Sequence, residues 1–412
     1  MKEKQNTIGR RNFLKSVGAA GLGSVLASTG AIAGQNESNA AEKTLMPKRK
    51  LGKTGLNVPC LSLGTMFDLV DNQIILRSTL KYGVSYWDTS NVYAGGNSEL
   101  GIGKYLEKNP EVRNDLIIVS KASRANNVKE VEERLQLSLQ RMNTDYIDLY
   151  YAPHGASDPA QFTDELKVWV ENAKKRKLIR FFGFSTHQNV AECLTAASKL
   201  GWIDVVMPMF NFRVMQDPKM QAAVDACYKA NIGIVAMKTT GKTTIRKFKQ
   251  AIETAADKKM ITHFLERGFT PEQACIKFAL QDERISSACV QMDSVAIIKE
   301  NVAAVLDKPE LTRTDKQVLK EYAEATCTGY CAGCGYICNS TVPDAPYVSD
   351  IMRYLMYYNS YGDTDRAREL FAEIPGNVRD RLLSMNYGAA EARCPQHLPI
   401  GELVAEAVGK LA

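Results

Sequence analysis

The stretch VSYWDTSNVYAGGNSELGIGKYLEK, from Val84 to Lys108, opens with a short apolar run that ends in an acid, Asp88. A loop carrying Tyr93 and the paired glycines Gly95 and Gly96 follows, and helical spacing of apolar residues begins near Ser98. This is one βα unit with its polar chemistry at the carboxyl end of the strand. Two further apolar runs end the same way, LIIVSK at Lys121 and YIDLYYAPH at His154. In a parallel barrel all such ends gather on one face, where active sites are built. An acid, a phenol, an amine and an imidazole are therefore expected to meet there.

Outward from this unit, short apolar runs recur with helical patterns between them. They are VPCLSLGT from Val58, VSYWD from Val84, LIIVSK from Leu116, YIDLYY from Tyr146, IRFFGF from Ile179, DVVMP from Asp204, IGIVAM from Ile232 and SSACVQ from Ser286. The helix VKEVEERLQLSLQRM places Val128, Val131, Leu135 and Leu139 on one face. Eight strand–helix units, with no glycine-rich dinucleotide fingerprint after the first strand, predict a (β/α)8 TIM barrel of the α/β class over an open doubly wound sheet. Extra helices are expected over residues 243–267 and 271–281.

From about Arg49 to Leu306 the chain resembles the aldo-keto reductase family. The matching pieces are WDTSNVYAGGNSELGIGKYL, the VSK strand end, SLQRMNTDYIDLYYAPH, FFGFSTH, FNFR, VAMK and KEN. The resemblance implies hydride transfer between NADP(H) or NAD(H) and a small carbonyl or alcohol substrate. It implies Tyr93 as general acid, Lys121 and Asp88 tuning it, and His154 orienting the carbonyl. It further implies cofactor contacts at Ser185, Thr186, Asn211, Lys238, Glu300 and Asn301. The residue types suit that chemistry. A carbonyl that accepts hydride needs a proton, a free phenol has a pKa near 10, and a nearby ammonium stabilises the phenolate. An imidazole can donate a hydrogen bond where negative charge grows. Taken singly, each residue has a plainer role as a cap, a packed loop residue or a solvated charge; their common place at strand ends favours chemistry.

The chain departs from the family pattern at several points. His154 stands six residues after Asp148, one more than usual, with Pro153 in the customary place. Ser185-Thr186 stands where Ser-Asn is common and Met207 where Gln is common. Gln291 and Ile297 stand where a glycine and a basic residue usually help to hold the cofactor phosphates. A second class of function stays open on these grounds: an electron-transfer or binding protein with the barrel as scaffold and weakened nicotinamide binding.

After Pro309 helical patterns continue without strands, so residues 47–308 are read as the barrel and 309–412 as a helical, cysteine-rich extension. Five of the ten cysteines lie there: Cys327, Cys331, Cys334, Cys338 and Cys394. Close spacing in a glycine-containing loop lets thiolates converge on one cuboidal cluster, with a fourth ligand from afar. The segment resembles the ferredoxin-like iron–sulfur extension of some aldo-keto reductases. It points to a 4Fe-4S cluster on Cys331, Cys334, Cys338 and Cys394, with Cys327 as the fifth candidate. Structural zinc and disulfides stay open as alternatives.

Residues 1–33 carry Arg10-Arg11, a mildly apolar run and the small residues Ala31-Ile32-Ala33. They resemble a twin-arginine export signal, and 34–46 reads as a polar linker. The expected partners are the twin-arginine translocase and a redox protein, with the mature protein in the periplasm or on an extracytoplasmic face. The net charge is +6, but five Lys or Arg against Glu3 in the first 33 residues supply +4, which leaves +2. A nearly neutral body argues against a nucleic-acid partner. Replacing both arginines of the pair, Arg10→Lys with Arg11→Lys, should leave the precursor in the cytoplasm, read by cell fractionation; efficient export of the double variant would point to another route.

Overall fold

Strands buried at every residue, such as Ile117–Lys121 and Gly233–Met237, have one face against helices and the other inside a barrel. The computed structural model describes residues 46–241 and 254–412; the expected export segment lies outside them. Two short strands, β1 (Lys48–Lys50) and β2 (Asn57–Pro59), form an antiparallel pair. The eight that follow are β3 (Leu61–Gly64), β4 (Tyr86–Asp88), β5 (Ile117–Lys121), β6 (Ile147–Ala156), β7 (Ile179–Thr186), β8 (Val205–Pro208), β9 (Gly233–Met237) and β10 (Ser287–Gln291). They close in the order β10-β3-β4-β5-β6-β7-β8-β9, with every pairing parallel. The expected (β/α)8 barrel is the fold. One apolar run divides, however: within VPCLSLGT the first residues pair with β1 and only Leu61–Gly64 enters the barrel.

Two apolar layers hold the barrel. Its interior is filled by Leu51, Val58, Tyr86, Val119, Leu149, Tyr151, Val205 and Val235, with Leu51 supplied by the segment between β1 and β2. The outer layer lies between strands and helices. The helix Val128–Met142 starts at Asn127, whose side chain accepts the Glu130 N–H, and stops at Asn143 in the left-handed conformation. It buries Val131, Leu135, Leu139 and Met142, as its spacing predicts. A buried carboxylate ties three strands together: Asp148 accepts the Ile118 N–H at 3.0 Å and pairs with Arg113 at 3.0 Å and Arg180 at 2.6 Å. The helices expected at 243–267 and 271–281 are Ala255–Glu266 and Pro271–Leu280, with 242–253 outside the described residues.

Beyond Leu306 the helix Arg313–Ala325 packs Leu319 and Tyr322 against Phe264 and Phe269, and Asp315 binds His263 and Arg267 at 2.7 and 3.2 Å. A separate apolar cluster begins at Val342 and joins the helices Val348–Met356, Thr364–Ala372 and Ile400–Leu411. This tail lies on the barrel: Gln188 donates to Asp350 at 2.8 Å, and Arg124 pairs with Glu369 at 2.7 Å. Among the described residues no helix is long and apolar enough to cross a membrane.

Gly183 pairs with Val205 between β7 and β8, and a Cβ there would stand 2.0 Å from the Val205 carbonyl oxygen. Gly183→Ala should therefore lower stability by about 3 kcal/mol, because a backbone carbonyl in a paired strand has nowhere to move; urea denaturation checks it.

Candidate active site

β4 delivers Asp88 and its neighbour β5 delivers Lys121. The Lys121 Nζ donates to Asp88 Oδ1 at 2.5 Å and to the Thr89 carbonyl at 2.6 Å, and both residues are buried. Burial works against the ammonium, but the Asp88 carboxylate holds the Lys121 pKa above its ordinary value, so the lysine stays charged. Tyr93 follows on a tight turn, Tyr93–Gly96, anchored where Arg141 donates to the Asn91 carbonyl at 2.7 Å. The Lys121 Nζ lies 4.8 Å from the Tyr93 ring centre. The sequence led to the expectation that this ammonium would lower the phenol's pKa. It does pull that way, yet burial raises the phenol more, and the Tyr93 pKa ends above 10. Tyr93 therefore keeps its proton at neutral pH.

His154 sits on β6 between two register shifts relative to β7, where it pairs with Ser185. Such irregularities re-aim side chains. The ring centre of His154 is 6.0 Å from that of Tyr93, so the extra residue before the histidine does not take it from the group. Its Nδ1 meets the Ser123 hydroxyl, which contacts the Ser90 hydroxyl at 2.5 Å, while the Ser123 N–H donates to Asn91 Oδ1 at 2.9 Å. With Ser123 donating to Nδ1, Nε2 carries the imidazole proton. Burial, then the cations Lys121, Arg366, Arg353 and Lys238, hold the His154 pKa well below 6.5.

Asp88, Tyr93, Lys121 and His154 line one cavity of about 540 Å³. Of the six residues expected to hold a cofactor, Ser185, Lys238, Glu300 and Asn301 line the same cavity, as do Met207, Gln291 and Ile297. Thr186 and Asn211 are not among its lining residues. The Thr186 hydroxyl donates to the Ala156 carbonyl at 2.7 Å. The Asn211 amide donates to the Lys238 carbonyl at 3.0 Å and accepts the Arg213 N–H at 3.0 Å. Both serve the barrel's own loops. Sequence reasoning missed Ser90, Ser123, Thr239, Tyr357 and Arg366. Ser123 lies two residues beyond Lys121 and so shared a signal with it. Thr239 lines the cavity with a buried hydroxyl that has no hydrogen-bond partner among the described residues. Tyr357 and Arg366 come from the tail and carried no local signal.

Cys331, Cys334, Cys338 and Cys394 line a second, small cavity among Ile337, Met352, Leu398 and Ile400, while Cys327 is not among its lining residues. No disulfide joins any of the ten cysteines. Among the described residues no three or more His, Cys, Asp or Glu side chains form a group that could hold a metal ion. Burial pushes the Cys334 and Cys338 thiols up to about 12. Gly333, between two of these cysteines, is left-handed at φ +74°, and a Cβ there would stand 2.0 Å from the His187 carbonyl oxygen. The Asn189 N–H donates to the Gly333 carbonyl at 2.8 Å. The cysteine loop therefore lies flush on the loop that follows β7.

Comparison with known proteins agrees with this geometry. A model of the Aldo/keto reductase family matches residues 61–319. Over 303 residues the chain is 24% identical to the L-galactose dehydrogenase of Arabidopsis thaliana, which covers 68% of this chain and 93% of that protein. The holo form of the aldo-keto reductase AKR11C1 from Bacillus halodurans superposes with a TM-score of 0.55 at 22% identity, covering 67% of this chain and 96% of that one. A thermostable aldo-keto reductase, Tm1743, in complex with the inhibitor epalrestat gives 0.55 at 23% identity, covering 67% and 100%. At these identities the two structures speak to the fold.

His187, like His154, has its pKa held well below 6.5, first by burial and then by nearby cations. A depressed folded-state value gives stability that is complete above the unfolded pKa and is lost as pH falls, because the unfolded chain then takes up protons the native state refuses. The urea midpoint should fall from pH 7.5 to 5.5, and the His154→Gln, His187→Gln double variant should flatten that slope.

Proposed function

The chain belongs to the aldo/keto reductase family of oxidoreductases, and from that premise we propose that it moves hydride between NADPH or NADH and a small carbonyl or alcohol substrate. The observation that carries this reading is the meeting of Asp88, Tyr93, Lys121 and His154 in one cavity. Ser185, Lys238, Glu300 and Asn301 would hold the cofactor, and the Thr239 hydroxyl, which has no hydrogen-bond partner among the described residues, offers a further hydrogen bond in the same wall. When bound, the cofactor supplies or receives the hydride. His154 Nε2–H donates to the substrate oxygen and orients it. Tyr93 gives its phenolic proton to that oxygen as negative charge develops there. The phenolate left behind faces the Lys121 ammonium, which Asp88 and the Thr89 carbonyl hold in place. In the oxidative direction the same groups work in reverse.

The reading extends to the tail, where Cys331, Cys334, Cys338 and Cys394 hold a 4Fe-4S cluster. Four thiols around one cavity support it. Structural zinc on the same thiols is the alternative. Export by the twin-arginine route to the periplasm, as a folded and loaded protein, and exchange of electrons with a redox partner complete the proposed function.

Tyr93→Phe should cut carbonyl reduction by ~10²–10⁴-fold with little change in cofactor affinity, since only the proton donor is removed. An unchanged turnover number with a responsive aldehyde would reject Tyr93 as the acid. Anaerobically purified protein should be brown and hold about four irons per chain. Cys394→Ser should lose most of that iron and Cys327→Ser should keep it, with circular dichroism confirming that the barrel is folded. Stoichiometric zinc without acid-labile sulfide would replace the cluster by a structural ion.

A further inference from the structure

A cation with no carboxylate partner among the described residues faces the catalytic cavity from the tail. Arg366, on the helix Thr364–Ala372, lines the cavity together with Tyr357, and its guanidinium lies 6.0 Å from the Tyr357 ring centre. The acids that follow it in the chain, Glu369 and Glu373, are turned to Arg124 at 2.7 and 3.5 Å. Two of the three acids that line the cavity are engaged elsewhere, Asp88 with Lys121 at 2.5 Å and Glu300 with the Thr270 hydroxyl at 2.8 Å, and the third, Glu272, stands in the first turn of the helix Pro271–Leu280. Behind Arg366, Arg353 acts on the same Tyr357 and keeps a buried Nε with no hydrogen-bond partner among the described residues. Among the described residues no carboxylate forms an ion pair with Arg366 on this wall.

The position of that charge separates it from the proposed cofactor residues. Glu300 and Asn301 belong to the helix Val295–Leu306, which follows β10. In the closed strand order β6 lies four strands from β10 in either direction, diametrically across the barrel. The helix that carries Arg366 is held by the Arg124–Glu369 pair, at 2.7 Å, to the loop after β5, the strand beside β6. The guanidinium is therefore on the side where the substrate carbonyl is oriented.

We propose that the tail makes this cavity selective for carbonyl compounds and alcohols that carry a carboxylate, with the reacting carbon at Tyr93 and His154 and the carboxylate on Arg366. A guanidinium presents two parallel N–H donors that match a carboxylate's two oxygens, and one such group in the cavity balances one negative charge. Partial exclusion of water strengthens the pair relative to solution. A neutral substrate leaves the guanidinium partly desolvated with no anion, so discrimination arises from both sides. The proposal rests on the reductase reading of the cavity and adds the substrate's chemical class to it.

The probes are 4-carboxybenzaldehyde and benzaldehyde, compared on the full chain and on the Arg366→Gln and Arg366→Lys variants. The wild type should prefer the carboxylate in kcat/KM. Arg366→Gln should shrink that preference by roughly 10- to 100-fold, mainly through KM for 4-carboxybenzaldehyde, as loss of a charged hydrogen-bonded pair implies. Arg366→Lys should restore part of it. Equal losses for both aldehydes would overturn the proposal. So would a loss of NADPH or NADH affinity with the preference intact, which would make Arg366 a cofactor-phosphate ligand. Calorimetric binding of 4-carboxybenzaldehyde without cofactor separates this proposal from the reductase reading. If neither aldehyde is turned over, Arg366-dependent binding still sustains the anion pocket, and binding that ignores Arg366 overturns it.

Discussion

The buried ion pair of Lys121 and Asp88 is the constraint on which the rest depends. Two charges taken out of water are tolerable only when they meet with good geometry and further hydrogen bonds. Here the contact is 2.5 Å, the Thr89 carbonyl adds a second acceptor, and the second Asp88 oxygen is buried with no partner among the described residues. That arrangement requires β4 and β5 side by side, which barrel closure provides. Removing either partner would leave an uncompensated charge inside the barrel, so stability and chemistry rest on the same two side chains. The pair also defines what Tyr93 can do. Burial keeps the phenol protonated, and the ammonium beside its ring is the group ready to stabilise it once the proton has left.

The tail is joined to this site through the loop after β7. His187 lines the catalytic cavity, and its carbonyl meets Gly333 between Cys331 and Cys334. Asn189 bonds the Gly333 carbonyl, and its side chain accepts the Tyr336 N–H at 2.9 Å. One short loop thus lines the catalytic cavity and backs the cysteine loop. The tail also sends Tyr357 into the catalytic cavity together with Arg366. Residues beyond the family match, which ends at 319, therefore line the cavity that holds Asp88, Tyr93, Lys121 and His154.

Much of the fold was legible because parallel strands in a barrel are buried on both faces and read as continuous apolar runs. Asp88, Lys121 and His154 were legible as chemistry because each ends such a run. The division of VPCLSLGT was not, since only pairing with Lys48–Lys50 removes Asn57–Pro59 from the barrel. Thr186 and Asn211 matched a motif, yet their side chains are engaged with the Ala156 and Lys238 carbonyls, partners on other strands and loops.

By itself the sequence determined the eight-unit barrel, the placing of Asp88, Lys121 and His154 at strand ends and the close spacing of Cys331, Cys334 and Cys338, because apolar periodicity and residue type are written locally along the chain. Tertiary structure alone decided the aim of His154, the hydroxyls of Ser123 and Ser90 behind it, the place of Cys327 outside the cysteine cavity and the entry of Arg366 into the active site. Those outcomes depend on register shifts and on packing between segments more than 200 residues apart, as with Arg366 and His154. No local pattern carries them, because the free energy that selects them comes from contacts that exist only once the chain has closed.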